Sequence, residues 1–210
     1  MCEGGKDGAS QQMKDVNSRQ ILPITTRAAF RDWLTENQAT AIECFVLCQR
    51  GNPAKCEELA YLDAVEEALC FGWIDSTVTR IDGITVQRFA PRTQKSHWTE
   101  LNKERVRRLE RLGLMTDAGR AVLPPMGPRS FRIDPEIEAA LKAGRAWAGF
   151  RRLPPLYQRI RASNLLFYRE HVPEGYQRML QHTIETAKEG KTFGEWNDYG
   201  RLTDEDPEKR

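Results

Sequence analysis

The chain has no apolar run approaching the roughly 18 residues that a membrane span requires, and MCEGGKDGASQQMKDVNS at its start carries no hydrophobic stretch of signal-peptide type. Both absences point to a cytoplasmic protein without a membrane-spanning segment. An excess of one charge is missing too: 32 Lys and Arg stand against 30 Asp and Glu, a formal charge of +2. That balance argues against a protein that coats a polyanion with a basic field, while leaving room for local basic patches. The five cysteines, Cys2, Cys44, Cys48, Cys56 and Cys70, are odd in number, so reduced thiols are expected rather than a disulfide framework. Also missing are GxxxxGK(S/T), GxSxG, HExxH and paired CxxC. With them go a phosphate loop, a hydrolase elbow, a zinc-protease helix and a zinc ribbon. There is no internal repeat and no long low-complexity segment.

What is present fits a globular chain of 210 residues, 40% hydrophobic and 30% charged, which allows one compact unit or two small halves. Residues 1–20 are polar and rich in Gly, Ser, Gln and Lys, and are expected to be a flexible tail. TTRAAFRDWLTEN (25–37) predicts a helix capped by Thr25 or Thr26, with Phe30, Trp33 and Leu34 inward. AIECFVLCQR (41–50) fits a short buried strand or a buried helix turn equally well. CEELAYLDAVEEALCFG (56–72) predicts an amphipathic helix with Leu59, Leu62, Val65 and Leu69 on one stripe. Glu57, Glu58, Glu66 and Glu67 lie largely opposite, and Gly72 is the stop.

In STVTRIDGITVQRF (76–89), β-branched residues flank Asp82-Gly83, a strong signal for a two-residue type I′ hairpin. Ser96 is placed to cap a helix from His97 to about Leu112, and Thr116 a short one through about Val122. PPMGPRS (124–130) breaks the chain between a module at 21–123 and a helical part at 131–202 expected to pack on it. In that part Asp134-Pro135 opens a helix, RRLPPLYQRIRASNLLFYRE predicts a second, and GYQRMLQHTIETAKEG a third. FGEWNDYGRL (193–202) is turn-rich, and residues 203–210 form a charged tail. The fold class that follows is α+β, mostly α-helical, with one antiparallel hairpin or small sheet around residues 76–90.

Cys44 and Cys48 could be drawn with Cys56 and His97 as a zinc site, but the spacing has no finger or ribbon pattern and buried cysteines serve as small hydrophobes. No metal and no cofactor is expected. With Asp82-Gly83 as the turn, Thr77 would face Arg88 and Asp75 would face Ala90. Asp75 and Arg88 then become diagonal neighbours, roughly 7–8 Å apart or less. On the following helix Trp98, Asn102, Arg105 and Leu109 recur at i, i+4, i+7 and i+11, and Leu101, Val106 and Leu112 widen the face. Asn102 and Arg105 thus stand where a core-facing helix normally carries aliphatics, and need partners. Those partners are either internal or a ligand carboxylate or phosphate held by an arginine fork and a helix N-terminus. Arg88, Arg92, Lys95 and Lys103 around Trp98 could also face a nucleic acid; the balanced net charge argues against it.

Taken together, ALCFGWIDS (68–76), the hairpin, RFAPRTQKSHW, NKERVRRL, GLMTDAGR and GEWNDYGRL resemble the YdeI or OmpD-associated family of bacteriocin-protection proteins, over about residues 28–202. The family motif maps onto Phe71, Gly72, Trp73, Asp75, Arg88, Pro91, Arg92, Ser96, Trp98, Asn102 and Arg105, with mild departures at Ala90, Thr99 and Leu114. The resemblance implies a stress or resistance role against bacteriocins or antimicrobial peptides and an envelope-protein partner. The leading expectation is a binding module for a small anionic ligand or peptide. In it Arg88, Arg92 and Arg105 hold the anion, Ser96 and the helix N-terminus donate to it, Asn102 orients it, and Trp73 and Trp98 form apolar walls. The rivals are an enzyme with Asp75 as general base and an interaction protein whose polar residues only satisfy one another.

Overall fold

A computed structural model of the protein describes residues 20–93, 96–127 and 130–203. The expected tails at 1–20 and 203–210 lie outside these residues except for Gln20 and Thr203, as does Lys95. The fold is α+β, with eight α-helices and a four-stranded sheet among the described residues. The strands are β1 (Ile21–Leu22), β2 (Cys44–Val46), β3 (Trp73–Ile81) and β4 (Ile84–Pro91), in the order β1-β2-β4-β3. β1 runs parallel to β2, and β4 is antiparallel to both of its neighbours. The apolar run at 41–50 thus resolves as a strand, fully buried over its three residues. Asp82 and Gly83 take φ of 49° and 81°, the two positive values a type I′ turn demands.

Helix α1 (Arg27–Asn37) is capped by Thr26 and buries Phe30 and Leu34. Helix α2 (Tyr61–Cys70) starts later than its sequence pattern suggests, and its polar face is not solvated: Glu66 and Glu67 are 0% and 2% exposed. The reason is non-local. Arg27 and Arg31 of α1 reach Glu67, and Arg27, Arg108 and Arg201 reach Glu66, so α2 is a central helix whose carboxylates are covered by arginines from three directions. Helix α3 (Glu100–Arg111) follows the hairpin, and α4 (Asp117–Ala121), capped by Thr116, packs on the end of α2.

Beyond the proline-rich break come α5 (Pro135–Ala143), α6 (Trp147–Phe150), α7 (Pro155–His171) and α8 (Pro173–Lys188). One core is built on Phe30, Leu34, Val65, Leu69, Trp73 and Phe89, and a second on Ile137, Leu141, Phe150, Tyr157 and Leu165. Leu156, Ile160 and Leu202, with Leu101 and Trp196 packed against them, form a smaller third cluster. Among the described residues no helix is long and apolar enough to cross a membrane.

Within the second core, α6 lies so close to α8 that a Cβ on Gly149 would stand 2.1 Å from the Ala187 carbonyl oxygen. Gly149→Ala is therefore expected to cost about 2 kcal/mol, because backbone rather than a pliable side chain must move; thermal unfolding checks it.

Cys44, Cys48, Cys56 and Cys70 are free thiols. Burial pushes Cys44 and Cys48 up to about 12 and Cys70 up to about 11. Above about pH 9 the unfolded chain releases these protons and the folded chain keeps them, so stability falls as pH rises from 9 towards 12. Cys44→Val is expected to flatten that decline, read as the change in urea midpoint between pH 8 and pH 10.5.

Candidate functional site

At the end of β4, Pro91 pairs with Trp73, and the Arg92 amide donates to the Gly72 carbonyl at 2.9 Å. This anchors Arg92 where the chain leaves the sheet. The side chain turns inward and is 6% exposed. Its guanidinium lies 3.6 Å from the centre of the Trp98 ring, and Nη1 donates to the His97 carbonyl at 3.2 Å. Nε and Nη2 are buried and have no hydrogen-bond partner among the described residues. Together they form the side-on edge of the fork, the geometry that receives both oxygens of a carboxylate or phosphate. The same edge is filled elsewhere in this molecule: Arg105 Nε and Nη2 hold the two oxygens of Asp198 at 2.7 and 2.8 Å. Burial pushes Arg92 down to about 10, with the charge of Asp75 opposing, so it remains a cation at neutral pH.

Asp75 is half-buried on β3. Tyr61 Oη, from the first turn of α2, donates to its Oδ2 at 2.5 Å. Burial and then the nearby Asp75 charge push the Tyr61 phenol up to about 12, which keeps its proton in place as a donor. Arg50 covers the Tyr61 ring at 3.6 Å and donates to Gln87 Oε1 at 2.6 Å.

The expected pairing of Asp75 with Arg88 does not form. A bulge places Ser76 and Thr77 of β3 opposite the single residue Arg88, so Asp75 faces Phe89 instead of Ala90. The buried Gln87 amide donates to the Ser76 carbonyl at 3.1 Å and helps hold that irregularity. Arg88 is instead bound by Glu43 at 2.6 Å and donates to Ser76 Oγ at 2.8 Å.

Ser96 is not the cap of the following helix. Thr99 is, accepting from the Asn102 amide, and α3 starts at Glu100; Ser96 Oγ accepts from the Thr93 amide within the loop. Trp98 consequently sits in that loop rather than on α3. Trp73 is 1% exposed, donates to the Gln38 carbonyl and meets Trp33 edge-on, which makes it a core residue rather than a wall of the site. Asn102 Oδ1 accepts from Arg105 Nη1 at 2.8 Å, and Arg105 is otherwise engaged by Asp198.

Of the eight residues expected at the site, Arg92 and Trp98 form one contact pair and Asn102 and Arg105 another, with Asp75 bound by Tyr61. Arg88, Ser96 and Trp73 are occupied elsewhere. Tyr61, Arg50 and Asp198 are the polar residues that sequence reasoning missed. A signal for Asp198 was the NDYG turn, where Asp198 and Tyr199 take φ of 50° and 58°. Among the described residues no three His, Cys, Asp or Glu side chains are grouped to hold a metal ion.

Residues 22–122 match the family model described as a domain of unknown function, DUF8412, just under half of the chain. That span runs from β1 through α4 and carries Tyr61, Asp75, Arg92, Trp98 and Arg105, whereas Asp198 lies outside it. No curated protein and no solved structure matches the chain.

Proposed function

We propose that the protein is a binding module for a small carboxylate- or phosphate-bearing ligand seated on the Nε/Nη2 edge of Arg92. The observation that carries this reading is the buried, unpartnered edge itself. An unmet donor in the interior costs about 1–3 kcal/mol, more when charged, and an arginine fork without an anion is retained at that cost where a ligand supplies the anion. Trp98 fixes the plane of the fork by stacking, and Asp75 and Tyr61 present a carboxylate and a phenol nearby for the rest of the ligand.

The resemblance to the YdeI or OmpD-associated family supports a cytoplasmic role in protection against bacteriocins or antimicrobial peptides, with an envelope protein as partner. Under that reading the ligand-bound module is the active state.

The test is ligand-induced melting with phosphate, acetate, succinate and citrate. At least one is expected to raise the melting temperature of the native protein, and Arg92→Lys, which keeps the charge and loses the fork, is expected to abolish the shift. No shift across the set, or equal shifts in Arg92→Lys, overturns the proposal.

A second reading, with Asp75 as a general base, draws on Oδ1 of Asp75, which no hydrogen bond among the described residues engages, since Tyr61 takes Oδ2. The two are separated by turnover: a binding module leaves every probe chemically unchanged.

A further inference from the structure

On the face formed by α7 and α8 lies a groove of about 640 Å³ lined by Tyr168, Gly175, Met179, His182 and Phe193, with Arg178 among its polar residues and Arg92 not part of its lining. Gly175 keeps it open: a Cβ there would come within 2.9 Å of the Tyr168 ring. Behind the lining is Arg161 of α7, 5% exposed. The other arginines of the interior networks, Arg27, Arg31, Arg105, Arg108 and Arg201, each meet a carboxylate. Among the described residues Arg161 meets none.

Its guanidinium lies 3.7 Å from the centre of the Phe193 ring, Nη2 donates to the Phe193 carbonyl at 2.7 Å, and Nη1 is 3.5 Å from Met179 Sδ. Among the described residues Nε and Tyr157 Oη are buried with no hydrogen bond of good geometry, and the Tyr157 hydroxyl lies near enough to the guanidinium to favour its charged form. A thioether is a weak acceptor on a flexible chain, so Met179 stands where a carboxylate oxygen would serve a buried cation far better. Phe193 and Met179 belong to both the groove and the Arg161 environment. The groove thus has an apolar body and a cation at its back that lacks a counter-charge. Glu185, a carboxylate of the lining, is engaged by Gln181 Nε2 at 2.7 Å.

We infer that this groove is a second binding site, for a small amphipathic carboxylic acid whose apolar part lies along Tyr168, Phe193 and Gly175. Its carboxylate displaces the Met179 thioether to reach Arg161, and Arg178 adds positive potential beside it. The volume suits a ligand of that size. The site uses none of the groups around Arg92, and it stands or falls separately from the anion site proposed there.

The test is calorimetric titration of the full chain with octanoate, 1-octanol and octyltrimethylammonium. Octanoate is expected to bind at least tenfold more tightly than octanol and the cation not at all. Arg161→Met is expected to weaken octanoate at least tenfold and leave octanol unchanged. Because that variant alters a buried position, the native protein carries an independent readout: the methyl resonance of Met179 is expected to shift saturably with octanoate and to stay fixed with octyltrimethylammonium. Equal affinity for octanoate and octanol, octanoate binding unaltered in Arg161→Met, or a Met179 resonance that octanoate does not move would each overturn the assignment.

Discussion

Glu66→Gln is expected to lower the stability of the protein by about 3 kcal/mol, the lower end of the range for breaking a buried ion pair. Glu66 is fully buried and its two oxygens serve three helical or loop segments at once. Oε2 accepts from Arg27 Nη1 at 2.8 Å and from Arg201 Nη1 at 3.0 Å, and Oε1 accepts from Arg108 Nη1 at 2.9 Å. Gln has nearly the same shape, but its amide NH₂ turns a donor towards guanidinium donors, so one contact becomes a clash of like groups and the negative charge is gone. The lower end of the range applies because the arginine side chains keep 22–31% exposure and can turn partly to water. Asp63 and Glu67 still hold Arg27, and Asp63 still holds Arg201.

Urea denaturation would show the loss as a lower midpoint at unchanged slope. Asp117→Asn is the internal control. Asp117 also pairs with an arginine, Arg120 at 3.1 Å, but its side chain is fully exposed, and the change is expected to stay within about 0.5 kcal/mol. Amide exchange should also speed up in residues 196–202 of Glu66→Gln, since Arg201 ties that segment to α2.

The same network shows which parts of the fold are legible in a sequence. Thr26 before α1, Asp134-Pro135 before α5 and Asp82-Gly83 at the hairpin are decided within a few residues of chain, by caps and turn dihedrals. The pattern of α2 was not legible in that way. Leu62, Val65 and Leu69 do mark a stripe, but residues 64–70 are all buried, because α1, α3, α4 and β3 surround the helix and cationic side chains follow Glu66 and Glu67 inside. Nothing near Glu66 in the chain announces Arg201, 135 residues later. The site divides along the same line. Arg92 and Trp98 are six positions apart and meet through one loop, whereas the partner that fixes Arg105, Asp198, is 93 residues away. The bulge that separates Asp75 from Arg88 depends on Gln87 and Ser76 across two strands, and a register extrapolated from the turn alone carries straight past it.

Arg92→Met and Arg105→Met are expected to change stability with opposite outcomes, although both remove a buried guanidinium contributed by the same stretch of fold. At Arg105 the substitution strands Asp198, which is 4% exposed, and leaves Asn102 Oδ1 without its donor. The expected cost is about 3 kcal/mol. At Arg92 the substitution abandons one hydrogen bond to the His97 carbonyl and the stack on Trp98, together worth about 1–3 kcal/mol. In return it removes two buried unpaired N–H groups, each costing about 1–3 kcal/mol, and methionine refills much of the volume. The ligand-free Arg92→Met protein is therefore expected to be as stable as the native one or more stable, by up to about 2 kcal/mol, while losing every anion-induced melting shift. A polar cluster that exists only to satisfy itself requires both arginines to stabilise the fold, so a loss at Arg92→Met matching that at Arg105→Met in side-by-side thermal melts would assign Arg92 to the scaffold. Gain or neutrality at Arg92 beside loss at Arg105 is the signature of a fork held ready for an anion, stability given up at one arginine and secured at its neighbour.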